Sequence, residues 1–211
     1  MPGWSVVVPA KRLAVAKTRL RPLTDGPGTA HEELVLALLA DTVAAALSCP
    51  AVGEVVVVTD EPAADAVVRE LGARTVADVP DRGLNPALEH GARTAAGDAV
   101  AALSSDLPAL RSTELAAALA AAEGAERAFV TDAQGTGTTL LAAVGGRLLP
   151  RFGPGSAEAH LTGGAVVLTG DWPGLVRDVD TPADLRAALA LGVGPRTSAL
   201  AERWAEATTG S

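Results

Sequence analysis

Residues 54–59 read EVVVVT, and this run of valines decides the fold. A strand with one solvent-facing side alternates apolar and polar residues, whereas a strand buried on both faces is continuously apolar. EVVVVT therefore predicts a central parallel strand. Working outward, β-branched runs alternate with Ala- and Leu-rich stretches, and strands are predicted at 5–8, 74–77, 100–103, 128–131, 138–144, 164–168 and 177–179. This alternation predicts an α/β fold, a mainly parallel mixed sheet covered by helices.

The predicted helices lie between these strands. Periodic spacing of Leu and Ala places them over 32–48, 65–71, 113–122 and 183–191. Another is expected to start at Asn85, because Asn followed by Pro is a favourable N-cap and first-turn pair, and Ser112 is expected to cap the 113–122 helix. We predict one domain over residues 1–211, with a flexible tail from about 205 to 211.

The composition limits the classes of function. The net charge is −8 and the pI about 4.9, which argues against nucleic-acid binding. The single Cys49 excludes an internal disulfide and fits a reducing cytoplasm. No apolar run approaches the ~18 residues of a membrane span, so we predict a cytoplasmic protein without a membrane partner. The sequence carries no signature of an oligomeric state.

The ligands of such sheets bind outside the carboxyl ends of the strands, so the loops there are the segments to inspect. The loop after the first predicted strand, PAKRLAVAKTRLRPL, carries five cations in an otherwise acidic chain: Lys11, Arg12, Lys17, Arg19 and Arg21. It lacks the glycines of a Walker A loop or a Rossmann fingerprint. We interpret it as a cradle for phosphates; the alternative is a solvated basic loop.

Two aspartates occupy equivalent positions at predicted strand ends. Asp106 follows VAALSS and Asp180 follows VRDV. Carboxylates at strand ends point into the crevice, and Mg²⁺ prefers oxygen ligands while keeping waters for substrate phosphates. We predict that this pair holds Mg²⁺; the alternative for each is a turn or cap residue.

Glycine-rich turns beside hydroxyls form a further candidate region. Thr138 closes DAQGTGT, and Gly153 and Ser156 lie in RFGPGS. Backbone N–H groups in such turns can bind an anion. Ordinary turn chemistry is the alternative.

With these segments in hand, the chain resembles the CofC/FbiD family of guanylyltransferases in coenzyme F-420 biosynthesis. The matching pieces occur in order over roughly residues 5 to 190: VVPAKRLAVAKTRL, GLNPALEHG, SSDLPAL, VTDAQGTGTTLL, RFGPGSAEAH and DVDTPADL. The resemblance implies a glycosyltransferase-A-like, MobA-type nucleotidyltransferase fold. It also implies transfer of GMP from GTP to phosphoenolpyruvate with release of pyrophosphate, giving enolpyruvyl-diphospho-5'-guanosine.

The resemblance also implies residue roles. Thr138, Gly153 and Ser156 match the residues that bind phosphoenolpyruvate, and Asp106 and Asp180 match the metal-binding acids. Lys17 and Arg19 match catalytic cations. The nucleotide-binding matches are Pro9, Lys11, Lys17, Gly83 and Asn85. Because the product is unstable, we expect its hand-off to the next enzyme of the pathway.

Other functions stay open from the sequence. The same chemistry could act on 2-phospho-L-lactate or 3-phosphoglycerate, which a pocket must separate by shape. A molybdopterin guanylyltransferase or a cytidylyltransferase has a similar fold, but those families tend to carry a glycine-rich first loop that PAKRLAVAKTRL lacks. A non-catalytic nucleotide-binding module is the alternative outside the enzymes.

Overall fold

The computed structural model describes residues 3–10, 17–20, 30–79 and 81–209. Within these ranges the strands form one seven-stranded sheet in the order β3-β2-β1-β4-β6-β5-β7. The strands are β1 (Trp4–Pro9), β2 (Val52–Val58), β3 (Arg74–Val76), β4 (Ala99–Leu103), β5 (Arg127–Thr131), β6 (Thr138–Val144) and β7 (Val166–Val167).

The sheet is mixed but mainly parallel, as predicted. β1 pairs in parallel with β2 and β4, β2 with β3, and β5 with β7. β6 is the exception, because it runs antiparallel to both of its neighbours, β4 and β5. The parallel half therefore carries the strand ends on which the predicted site depends.

Helices cover both faces of the sheet. They are α1 (Ala30–Leu47), α2 (Pro62–Glu70), α3 (Leu84–Arg93), α4 (Ser112–Ala122), α5 (Ser156–Thr162), α6 (Pro182–Leu191) and α7 (Pro195–Thr209), and Thr18–Leu20 forms a single 3-10 turn. Along β1, Val6 and Val8 pack into one apolar cluster and Val7 into another, and all three are fully buried. Burial on both faces explains why the strand is continuously apolar rather than alternating.

One glycine sets how closely α3 approaches the sheet. A Cβ atom on Gly91 would lie 2.5 Å from Val7 Cγ1 and 2.7 Å from Val58 Cγ2. Such distances are well inside van der Waals contact, so any larger residue would push the helix away from β1 and β2. The first turn of α3 carries the GLN segment, and this packing fixes its position.

Three local predictions are wrong. Residues 177–179 form no strand, because the segment pairs with no strand: the Val179 N–H donates to the Asp106 carbonyl over 3.1 Å, which places it beside the loop after β4. α3 begins at Leu84 with Gly83 as its N-cap, because the Asn85 amide bonds to a distant loop instead. α4 is capped by Arg111, whose backbone N–H donates to Glu114, and not by Ser112.

The sequence also fails to predict α7. This helix continues to Thr209, so residues 205–209 are helical although they fall in the range assigned to a flexible tail. Its start is fixed by Asp41 of α1, whose carboxylate accepts the N–H groups of Arg196 (3.1 Å) and Thr197 (2.8 Å). The acceptor lies 155 residues before Arg196, so no local pattern reveals it.

Asp41→Ala is expected to lower the free energy of unfolding by about 2–4 kcal/mol, because two N–H groups lose a charged acceptor. Asp41 is 4% exposed, so water replaces the carboxylate poorly. Urea unfolding monitored by circular dichroism measures the change. Asp41→Asn keeps one acceptor oxygen and should lose less. An Asp41→Ala protein as stable as the exposed-site control Asp98→Ala would contradict the capping role.

Among the described residues, no helix is both long enough and apolar enough to cross a lipid bilayer.

Candidate active site

A cavity of about 440 Å³ opens at the carboxyl ends of β1 and β4. The strand ends contribute Pro9 and Ala10 from β1 and the Ser104–Asp106 turn from β4. The other lining residues are Lys17, Arg19, Val35, Leu38, Leu39, Ala64, Leu84, Leu88, Leu103, Phe152 and Asp180. The cavity lining thus combines apolar side chains with charged ones.

Lys17 joins the two predicted metal-binding aspartates. Its ammonium group contacts a carboxylate oxygen of Asp106 and lies 2.5 Å from Oδ1 of Asp180. The structure therefore brings all three predicted residues together, although they are up to 163 residues apart in sequence. Lys17 has a φ of +50°, a conformation that costs a non-glycine residue free energy. Such strain is typical of positions held for function.

The backbone beside Asp106 is held from two sides. The Leu107 N–H donates to Thr42 Oγ1 (2.9 Å), and that hydroxyl donates to the Leu38 carbonyl (2.8 Å). On the other side the Val179 N–H donates to the Asp106 carbonyl. One backbone hydrogen bond therefore ties the segment that carries Asp180 to the turn that carries Asp106.

The two carboxylates differ in exposure. The Asp106 side chain is 9% exposed and the Asp180 side chain 53%. Asp180 precedes α6, whose capping box joins Thr181 and Asp184. The Asp180 N–H donates to the Asp184 carboxylate over 3.3 Å, so the cap also holds this residue in place. The pair thus has one buried carboxylate and one that faces solvent.

Asp178 is a third acid at this site, and sequence reasoning missed it. Burial raises its pKa to about 6, and the neighbouring Asp180 and Asp132 carboxylates add to the rise while Lys17 opposes it. The available signal was the spacing in DVD, since residues two apart in an extended segment share a side. Negative charge is therefore concentrated around the Lys17 ammonium.

The donor set at Asp106 and Asp180 fits a divalent cation that keeps several waters. Both carboxylates already contact one positive group, so a cation held between them would meet oxygens from two chain segments. Among the described residues there is no group of three or more His, Cys, Asp or Glu side chains arranged to hold a metal. Mg²⁺ commonly uses one or two carboxylates and takes its remaining ligands from water and phosphates.

Gly153 and Ser156 lie at the start of α5, and Thr138 contacts His160 of the same helix. The Ser156 N–H donates to the Gly153 carbonyl (3.1 Å), and the Ala157 N–H donates to the Thr136 carbonyl (3.1 Å), which brings the start of β6 to this helix. Thr138 and Ser156 are buried. Gly153 has a φ of +133°, which favours glycine. Phe152, which precedes Gly153, lines the cavity, so the RFGPGS loop borders it.

Asn85 joins the GLN segment to the RFGPGS loop. Its Nδ2 donates to the Phe152 carbonyl (3.0 Å), and its Oδ1 accepts the Phe152 N–H (2.7 Å). The GLN segment and the RFGPGS loop are thereby clamped together across 67 residues of sequence. Asn85, predicted to bind the nucleotide, thus forms its side-chain hydrogen bonds with the Phe152 backbone.

Asn85→Ala is expected to speed amide hydrogen exchange at Phe152 and to lower the free energy of unfolding by about 2 kcal/mol, because two hydrogen bonds are lost. Asn85→Asp is the matched control. It keeps an acceptor for the Phe152 N–H but has no donor for the carbonyl, so this amide should remain protected. Equal protection of Phe152 in the wild type and in Asn85→Ala would contradict the clamp.

Comparison with known proteins agrees with this geometry. Residues 4–166 match the family described as guanylyl transferase CofC like. The chain belongs to this family. It is 74% identical over 201 residues to a phosphoenolpyruvate guanylyltransferase of Geodermatophilus obscurus, with 94% of each chain covered. It is 56% identical over 201 residues to a protein of the same name from Salinispora arenicola, with 93% of this chain and 92% of the relative covered.

Solved structures support the fold of this CofC-like chain. A nucleotidyl transferase from Methanothermobacter thermautotroptrophicus superposes with a TM-score of 0.70 at 24% identity, covering 90% of this chain and 98% of the other. A 4-diphosphocytidyl-2C-methyl-D-erythritol synthase gives 0.60 at 15% identity, covering 90% and 99%. The predicted nucleotidyltransferase fold is therefore confirmed.

The remaining predicted residues of this CofC-like chain fall in three places. Pro9 and Arg19 line the cavity. Gly83 is the N-cap of α3 with a φ of +100°, a conformation that favours glycine, so the turn itself explains this residue. Lys11 lies outside the described residues, as do Arg12 and Arg21.

Proposed function

We propose that this chain is a guanylyltransferase that transfers GMP from GTP to phosphoenolpyruvate and releases pyrophosphate. The observation that carries the proposal is the convergence of Lys17, Asp106 and Asp180 at one strand-end cavity. The choice of acceptor is supported by the name of the Geodermatophilus relative, which is 74% identical across 94% of both chains.

The reaction needs no protein base. A phosphate oxygen of phosphoenolpyruvate, already ionised at neutral pH, attacks the α-phosphorus of GTP. A new P–O bond forms, the bond to the β-phosphate breaks, and pyrophosphate leaves with its electron pair. The obstacle is repulsion between two anions, so the protein contributes by positioning and by electrostatic stabilisation.

Each charged residue then has a role. We propose that Asp106 and Asp180 hold Mg²⁺, which would neutralise phosphate charge and orient the reacting groups. Lys17 and Arg19 face the same cavity, where their positive charges offset the charge on the leaving pyrophosphate. The Lys17 ammonium contacts both carboxylates, so a metal held there would leave this ammonium available to phosphate oxygens.

The acceptor is assigned to Thr138, Gly153 and Ser156. Two buried hydroxyls beside a glycine turn provide donors of the kind that phosphate and carboxylate oxygens need. The nucleotide is assigned to the cavity side with Pro9, Lys17, Gly83 and Asn85, and Lys11, outside the described residues, keeps the nucleotide-binding role that the resemblance implies. Asn85 acts there by holding Phe152, which lines the wall against which a base can pack.

The cellular setting is part of the same proposal. We place the reaction in the cytoplasm, in coenzyme F-420 biosynthesis, with the product passed to the next enzyme of that pathway. The resemblance in the ordered motifs supports this setting.

A substrate matrix tests the proposal. The protein is incubated with Mg²⁺, one of GTP, ATP, CTP or UTP, and one of phosphoenolpyruvate, 2-phospho-L-lactate or 3-phosphoglycerate, and pyrophosphate release is measured. Release is expected with GTP and phosphoenolpyruvate and should stop when EDTA removes the metal. Release only with another acceptor would replace the proposed substrate, and release with no pair would overturn the transferase activity.

A further inference from the structure

A buried histidine contacts both Thr138 and the start of the RFGPGS loop. His160 on α5 is 2% exposed. Its Nδ1 lies 2.9 Å from Thr138 Oγ1, and its Nε2 accepts the Arg151 backbone N–H over 2.9 Å. The side chain therefore contacts the first residue of β6 with one nitrogen and the start of the RFGPGS loop with the other.

These contacts determine where the imidazole proton lies. A backbone N–H can only donate, so Nε2 must be unprotonated. The neutral ring then carries its hydrogen on Nδ1 and donates it to Thr138 Oγ1. The hydroxyl hydrogen of Thr138 cannot point at His160, and the structure gives it no acceptor among the described residues.

The surroundings favour this neutral form. Phe152 meets the ring edge-on with centroids 5.3 Å apart, and Phe129 lies at 5.7 Å. Burial lowers the His160 pKa to about 4, with a further contribution from the Arg151 charge. At neutral pH the ring is therefore uncharged, and its packing leaves it one orientation.

We propose that His160 is a positioning residue of the acceptor site, which turns the Thr138 hydroxyl into a hydrogen-bond donor for the substrate anion and fixes the backbone that enters RFGPGS. The proposal rests on the assignment of Thr138 to phosphoenolpyruvate binding. Because His160 is buried behind Thr138, it acts on the substrate through that hydroxyl.

Nitrogen NMR of the histidine rings tests the first step without any substrate. In ¹⁵N-labelled protein at pH 7, His160 is expected to show a protonated Nδ1 and an unprotonated Nε2, and its signals are assigned by their loss in His160→Asn. A proton on Nε2 would overturn the inference. This result does not depend on which reaction the protein catalyses.

Two variants separate the two contacts. The Asn amide nitrogen can take the place of Nδ1 and donate to Thr138, whereas the Gln amide oxygen reaches as far as Nε2 and can accept from Arg151. His160→Gln and Thr138→Val are each expected to raise KM for phosphoenolpyruvate about 10–100-fold, because each removes one side of the His160–Thr138 hydrogen bond. KM for GTP should stay within about twofold of the wild type. His160→Asn and Thr138→Ser are expected to raise KM for phosphoenolpyruvate by less than about threefold.

A double mutant tests whether His160 acts through Thr138. In the Thr138→Val background, His160→Gln should raise KM for phosphoenolpyruvate no further, because residues that act through one group are not additive. Additive effects, or equal losses in kcat and in both KM values, would overturn the positioning role. If the wild type releases no pyrophosphate from GTP and phosphoenolpyruvate, the proposed function fails, and the NMR result still decides the tautomer.

Discussion

Asp106→Asn is expected to lower kcat for pyrophosphate release from GTP and phosphoenolpyruvate about 10²–10⁴-fold, because a metal held by this carboxylate would supply several kcal/mol of charge stabilisation. The neutral amide keeps the shape of the side chain but not its charge. Asp180→Asn should have a smaller effect, since its side chain is 53% exposed and water can take over part of its role.

The fold should survive both changes. The contacts that hold the backbone around Asp106 come from Thr42 and from the Val179 N–H, and Asn at position 106 leaves them in place. Asp98→Asn is a matched control, because Asp98 is an exposed acid just before β4, at the end opposite Asp106. It should leave kcat within about twofold of the wild type. Near-normal turnover of both Asp106→Asn and Asp180→Asn would contradict the metal assignment.

Lys17→Ala is expected to lower kcat about 10²–10³-fold, because the leaving pyrophosphate loses a preorganised positive charge. The same change leaves Asp106 and Asp180 without the ammonium that joins them. Affinity for Mg²⁺ should therefore rise, since the cation no longer competes with a lysine. Steady-state pyrophosphate release and a Mg²⁺ titration measure the two effects.

Lys17→Gly is the matched control for the backbone. Lys17 has a φ of +50°, which glycine adopts without strain and alanine does not. If the ammonium is what matters, Ala and Gly variants lose kcat equally. A Gly variant with near-normal kcat would show that the conformation, and not the charge, was lost in Lys17→Ala. Arg69→Ala, at an exposed position of α2, controls for the loss of a cation that does not line the cavity.

The sequence predicted the central elements because their patterns are local. EVVVVT became β2, and the strand-end rule brought Asp106 and Asp180 to one cavity although the strand predicted before Asp180 does not exist. The prediction holds there because the Val179 N–H donates to the Asp106 carbonyl, and this hydrogen bond, in place of a β-ladder, positions Asp180 beside Asp106. The resemblance then supplied residue roles that spacing alone left undecided.

What the sequence could not predict depends on contacts between distant residues. Asn85 was expected to cap a helix, but its amide clamps Phe152, 67 positions away. Asp41 caps α7 from the first long helix, so that helix lacked a local start signal. Asp178 was overlooked because its raised pKa depends on burial and on neighbouring carboxylates. A linear pattern contains neither.

The reversed direction of β6 has a geometric consequence for catalysis. Leu103, at the carboxyl end of β4, pairs with Leu140 near the start of β6, so Thr138 lies at the same sheet edge as the turn that carries Asp106. Had β6 run with its neighbour, the seven residues of the strand would have put Thr138 roughly 20 Å away at the far edge. A single change of chain direction thus removes the distance that would otherwise separate Thr138 from Asp106.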